Sequence, residues 1–168
     1  EALRLAYELQ EALESEDSRA EAAADVLESW ARGDEPILLQ EGLRIGEAAH
    51  LLAVTRDQLR NWERNGLIEV PRDPNNGYRL YGAVDINRLR VIRTLRSAKF
   101  SMMSILRMLT RFDSGEQADL RRVLDTPGQN ESEDAVFVSD RWLSTLAEMR
   151  VEIRNLITQL EGMNQKEG

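Results

Sequence analysis

The chain has 168 residues, 42% of them hydrophobic, with 22 basic and 30 acidic side chains and a formal net charge of −8. It has no Cys and a single His, His50, which excludes disulfides and thiolate metal ligands and leaves no set of residues for an imidazole metal site. No apolar run approaches the roughly 20 residues needed to span a bilayer. No signal peptide is visible, so the sequence reads as a cytoplasmic protein with no cofactor and no membrane partner.

The charge is unevenly spread. Residues 1–40 hold 3 basic and 11 acidic side chains, residues 41–112 hold 13 and 7, and residues 113–168 hold 6 and 12. These segments are therefore net −8, +6 and −6. A basic middle between acidic flanks marks a localised polyanion-binding surface. Arginines that merely decorate helix faces would give the same totals, so the charge map leaves both readings open.

In chain order, residues 1–14 set Leu3, Leu5, Leu9 and Leu13 among Glu and Gln, a helical pattern. Residues 18–32 suit a second helix, with a stripe of Ala22, Val26, Leu27 and Trp30. Ser18 and Glu21 make a capping box at its start, Gly33 ends it, and Asp34-Glu35-Pro36 is a break. Residues 1–40 thus read as acidic accessory helices or a linker. Glu1 falls inside a helical pattern, so the chain is expected to be a fragment of a longer protein.

From Leu43 the texture changes. Arg44 to Leu52 carries one apolar stripe, Ala53-Val54 is a tight turn, and Thr55 caps a helix over Arg56 to Asn65 that Gly66 ends. Two short helices so joined make a helix-turn-helix. Leu67 to Arg72 is extended, Asp73-Pro74-Asn75-Asn76-Gly77 is a turn, and Tyr78 to Tyr81 returns as a strand, which predicts a small β-hairpin wing. Helices follow from Asp85 to about Ala98 and, capped by Ser101, from Met102 to about Phe112. Residues 113–138 hold a short helix at 115–125 and a polar, acidic loop at 126–134.

The last helix spans about Asp140 to Met163, within a 139–168 dimerisation segment. Trp142, Leu146, Met149, Ile153, Leu156, Leu160 and Met163 are spaced alternately four and three residues apart. That is a heptad seam, expected to pair with another helix as a coiled coil. The fold class is mainly α: a winged helix-turn-helix over 41–112, flanked by accessory helices and a long coiled-coil helix.

Arg56 and Gln58, near the start of the second motif helix, are the candidates for base contact, and Asn61 on the same helix can pair with adenine. Thr55 and Arg60 are candidate phosphate ligands, which position without specifying. In the wing, Arg79 is favoured before Tyr81. Arg93, and after it Arg90, are placed to reach the DNA backbone. Trp62 reads first as packing at the edge of the core. Met102, Met103 and Met108 read as core filler.

Leu43-Arg44-Ile45-Gly46-Glu47-Ala48-Ala49, Val54-Thr55 and Leu59-Arg60-Asn61-Trp62-Glu63-Arg64-Asn65-Gly66-Leu67-Ile68 together resemble the DNA-binding domain of the MerR family of transcription regulators. Asn76-Gly77-Tyr78-Arg79-Leu80-Tyr81 looks like that family's wing, and Asp85 to Leu89 and Ala98 to Ser101 match its next two helices. The resemblance implies a homodimer whose recognition helices and wings grip a pseudo-palindromic promoter site. Antiparallel C-terminal helices would join the two copies, and DNA distortion would act on RNA polymerase indirectly. Carried over by position, the family's DNA contacts fall on Thr55, Arg60, Trp62, Arg79 and Tyr81.

Four departures stand out. Asn61-Trp62 replaces a common Tyr-Tyr pair, and Gln58 a usual Thr. The cysteines of metal-sensing members are missing, which excludes sensing of that kind. Residues 1–40 are foreign to the usual layout, and relatives with two tandem motifs carry a similar helical region between them. A first motif is therefore expected before Glu1.

The rival reading is a protein-interaction module on the same fold that binds no DNA. An enzyme would need convergent titratable groups in a cleft. The sequence offers no nucleophile–base pair and no phosphate-binding Gly loop, so a non-enzyme is expected.

Overall fold

A computed structural model describes residues 1–126 and 140–165, in seven helices: α1 (Ala2–Ala31), α2 (Ile45–Leu52), α3 (Arg56–Arg64), α4 (Ala83–Ser97), α5 (Met102–Asp113), α6 (Leu120–Leu124) and α7 (Trp142–Asn164). Most of the acidic loop expected at 126–134 lies outside the described residues.

The two N-terminal helices expected from the capping pattern are one. Ser18 lies in the interior of α1 and caps nothing. No Gly or Pro interrupts residues 1–32. A buried row of Ala6, Leu13, Ala20 and Leu27 recurs every seven residues straight through the expected break. The end is as expected. Gly33, at φ +78°, supports a Schellman turn in which its N–H reaches the Trp30 carbonyl and the Asp34 N–H that of Ser29.

The facing surface comes from α7. Leu146, Ile153 and Ile157 are buried against α1, and the most extensive helix pairing in the described chain joins these two. The pair is antiparallel. Tyr7, near the start of α1, donates to Glu161, near the end of α7, at 2.5 Å, and Asp17 pairs with Arg150. The seam expected to meet another molecule is thus half covered from within the chain. Leu146 and Ile153 are buried, Leu160 and Trp142 partly so, and the Trp142 indole donates to the Ala98 carbonyl at 2.9 Å. Met149, Leu156 and Met163 stay exposed. The reason is geometric: a heptad row specifies a neighbouring helix, and α1 supplies one with the same repeat. The start of α7 is tied down by Asp125, whose carboxylate accepts from the backbone N–H of Leu143 and Ser144.

The helix-turn-helix forms as read. Thr55 accepts from the Gln58 N–H at 3.0 Å while the Gln58 side chain accepts from the Thr55 N–H at 2.8 Å, a complete capping box. Ser101 caps α5 in the same way, accepting from Ser104 at 2.9 Å. Helix α4 starts two residues before the expected Asp85, whose carboxylate instead accepts from the Gly82 N–H. Leu52, Leu59, Leu67, Ile86, Leu89, Ile92, Leu95, Phe100, Ile105 and Met108 form the centre of the core. The segment between α1 and α2 is fastened by Asn87, which is buried on α4. Its amide exchanges hydrogen bonds of 2.7 and 2.8 Å with the backbone of Ile37 and donates also to Ala83.

The wing departs from expectation. Among the described residues no strand forms; the hairpin path is held by two isolated bridges, Leu43 with Tyr81 and Arg72 with Arg79. Pro71 and Pro74 remove backbone donors that a longer ladder would need. The tip is instead fixed by side chains. Asp73 accepts from the Asn75 N–H and the Asn76 amide, Asn76 accepts from the Tyr78 N–H, and Gly77 turns at φ +71°.

The turn between α2 and α3 holds Ala53 in the left-handed region, at φ +52° and ψ +45°. That conformation costs an L-residue about 1–2 kcal/mol, and glycine adopts it freely at an entropic cost of about 0.5–1 kcal/mol. Ala53→Gly is expected to raise unfolding stability by up to about 1 kcal/mol, read as a higher denaturant midpoint at unchanged slope. A lower midpoint would show that the alanine methyl contributes packing there.

Candidate nucleic-acid interface

The base of the wing is joined to the entry of α2 by a reciprocal pair of backbone hydrogen bonds. Leu43 and Tyr81 each donate to the other's carbonyl at 2.8 Å. That junction sets Arg44 beside Tyr78, with its guanidinium carbon 5.2 Å from the ring centroid. Arg44, Arg56, Arg60, Arg72 and Arg79 then line one concavity of about 640 Å³ between α2, α3 and the wing. Tyr78 completes the wall, and Glu47 is the acidic residue of the lining.

Each arginine is held differently. Arg56 lies across Gly46: a Cβ there would stand 2.8 Å from one of its guanidinium nitrogens, so the missing side chain makes room for it. Arg60 pairs with Asp57 at 3.0 Å in an exposed setting that contributes little to stability. Arg72 donates to the Gly77 carbonyl at 3.0 Å and stiffens the tip. Arg79 donates to Glu63 at 2.5 Å, both half-buried, so α3 and the wing are tied across the concavity.

Of the residues singled out in the sequence, Arg56, Arg60 and Arg79 converge here. Asn61 lies further along α3, and its side-chain oxygen accepts from Asn65 at 3.0 Å. Thr55 and Gln58 are engaged with one another in the capping box, which turns the Gln58 carbonyl oxygen back to the helix start. Two expected contacts are corrected by burial. Trp62 is 4% exposed and Tyr81 1% exposed, so both are core supports with almost no surface to offer a ligand. Arg93 and Arg90 lie outside the concavity, and each donates to a backbone carbonyl, Leu52 and Glu35 respectively. Arg72 and Tyr78 of the predicted wing complete the site, with Arg44, which was not among the expected contacts. Their convergence depends on the Leu43–Tyr81 bridge, which no local pattern announces.

The Tyr81 hydroxyl is buried and finds no hydrogen-bond partner among the described residues. Burial raises its pKa above the usual phenol value and Glu63 raises it further, against the lowering effect of Arg79 and Arg60.

Residues 43–111 match the family described as MerR HTH family regulatory protein. The HTH-type transcriptional regulator ZntR of Escherichia coli strain K12 is 39% identical over 40% of this chain and 48% of its own length. The mercuric resistance operon regulatory protein of Bacillus cereus is 34% identical over 44% of this chain and 55% of its own. The HTH-type transcriptional regulator HmrR of Rhizobium leguminosarum is 28% identical over 71% of this chain and 88% of its own. The chain spans about half the length of the first two. A crystal structure described as a MerR family regulator from Listeria monocytogenes superposes with a TM-score of 0.40 at 24% identity, over 74% of this chain and 79% of that one. That is too loose to transfer the position of any element.

A raised phenol pKa means the folded chain holds its proton more tightly than the unfolded chain. The associated stability is intact below the usual phenol range and is lost as pH climbs through that range toward the raised value. Tyr81→Phe removes this alkaline limb and relieves an unsatisfied buried hydroxyl. Stability at neutral pH should be equal to wild type or higher by about 1 kcal/mol; a clear loss, read by thermal unfolding, would mean that the hydroxyl has a partner.

Proposed function

Because residues 43–111 are a helix-turn-helix domain of the MerR family, a family of DNA-binding transcription regulators, we propose that this chain regulates transcription by gripping a pseudo-palindromic promoter site as a homodimer. The observation that carries the reading is the concavity in which five arginines, from the residue that caps α2, from α3 and from the wing, meet. Concentrated, partly ordered guanidinium groups are what a phosphate backbone binds, through charge and through fixed donor forks. Arg44, Arg72 and Arg79 take phosphates on the wing side. The exposed face of α3 enters the major groove, where Arg56, Arg60 and Asn61 are within reach of base edges and flanking phosphates. Thr55 and Gln58 set the start of that helix.

The second copy is met through the uncovered part of α7. Met149, Leu156 and Met163 are exposed at seven-residue spacing, and Leu5 and Leu9 of α1 are exposed as well. An apolar row of that kind suits a partner helix, so the dimer contact uses both α1 and α7. RNA polymerase is affected indirectly, through the shape of the promoter, and the chain acts in the cytoplasm on the nucleoid. Among the described residues no helix is long and apolar enough to cross a membrane, and no group of residues is arranged to hold a metal ion. With no Cys in the chain, any signal it senses is read without thiolates.

Selection of duplexes from a random pool by the purified chain, at two salt concentrations, tests the proposal. Enrichment of an inverted repeat is expected. No enrichment, with little binding at low salt, would favour a protein-interaction module. With the selected duplex, Arg60→Ala should weaken binding and reduce the log–log salt slope by about one; an unchanged slope would remove Arg60 from the interface.

Leu156→Glu should convert the dimer to a monomer in sedimentation while leaving helix content intact, because the side chain is exposed within one copy. A variant that still sediments as a dimer would place the partner contact elsewhere.

A further inference from the structure

Arg93 is a half-buried cation that the arginine concavity does not use. One of its Nη groups donates to the Leu52 carbonyl at 2.9 Å. Among the described residues no carboxylate pairs with it. A guanidinium carries five N–H donors, and a charge withdrawn from water is costly unless an opposite charge meets it. The other arginines of α4, and Lys99 just after it, have protein partners. Arg88 is bidentate to Asp113, Arg90 and Arg96 donate to backbone carbonyls near the surface, and Lys99 pairs with Glu16 at 2.9 Å.

Arg93 opens into a groove of about 480 Å³ between α1 and α4. The volume lies within the range of small-molecule sites. Its apolar part is built from Ala22, Val26 and Ala98, its hydroxyl from Ser97, and its second cation is Arg19. Close packing of two helices normally fills such a contact with larger aliphatics. Alanines at these positions leave the space open.

We propose that this groove binds a small organic anion with an apolar body, its carboxylate on Arg93 and its hydrocarbon part over Ala22 and Val26. The same Arg93 and Ser97 also line a neighbouring concavity of about 340 Å³ that reaches Gln58 and Asn61 on α3. An anion on Arg93 shares the guanidinium with the Leu52 carbonyl at the end of α2. Occupancy therefore bears on the turn that carries α3. The regulatory consequence rests on the DNA-binding reading; the existence of the site does not.

The test is an amide chemical-shift titration of the full chain with octanoate, with 1-octanol as the uncharged control. Saturable shifts are expected around residues 19–26 and 93–98 with octanoate only. Ala22→Phe fills the groove from an exposed position and should abolish the shifts while binding its selected duplex as wild type does. Arg93→Gln should abolish them too. In the wild type, octanoate should change duplex affinity by about fivefold or more. Absence of saturable shifts, equal shifts with octanol, or shifts that persist in both variants would overturn the site. Saturable shifts with unaltered duplex affinity would overturn the coupling alone. The titration contains no DNA, so failure to select any duplex would sink the functional reading and leave this one standing.

Discussion

Two hydrogen bonds between the backbones of Leu43 and Tyr81, each 2.8 Å long, hold the basic surface together. Residue 43 enters the helix-turn-helix and residue 81 leaves the wing. Joining them closes a loop of the chain on itself and brings Arg44 against Tyr78 and the wing over α3. The arrangement depends on what lies beneath. The Tyr81 ring fills the space under the bridge at the cost of burying a hydroxyl with no partner. An unsatisfied donor is tolerated only where neighbouring packing over-determines the position. Here Leu43 and the start of α4 do so, the Gly82 N–H being held by Asp85.

Among the arginines of the middle segment, two groups play different parts that the net charge of the segment does not separate. Those on α4 mostly act as staples. Arg88 joins the Leu67 carbonyl to Asp113, Arg90 reaches the segment before α2, and Arg96 closes the turn after α4. Arg44, Arg56, Arg60, Arg72 and Arg79 converge on one hollow and repel one another, with Glu47 and Glu63 as partial counter-charges. Such a hollow is least costly when a polyanion fills it. The fold thus puts its structural cations behind the surface and its ligand-facing cations on it.

Local chemistry made much of this legible in the sequence. Thr55, Gly66 and Ser101 are start and stop signals that work within one turn of helix, and all three do so in the structure. The capping pattern at Ser18 misled for the same reason. It is a local signal, overridden by a seven-residue repeat that spans the whole of α1 and finds its match in α7, more than a hundred residues away. Strand parity could have separated the two wing tyrosines. Tyr78 and Tyr81 are three residues apart and so face opposite sides of an extended chain; Tyr78 is 61% exposed and Tyr81 is 1% exposed. Parity does not say which side is inward, and only the Leu43 bridge decides that. The partners of the α4 arginines are backbone carbonyls, which every residue has, so composition could not point to them.

The antiparallel run of α1 against α7 also stiffens both helices. The Tyr7–Glu161 contact puts the first turns of one helix alongside the last turns of the other. With about 1.5 Å of rise per residue, α1 is a rod of some 45 Å. The Asp17–Arg150 pair fastens the same two helices farther along, so neither can bend without bending the other.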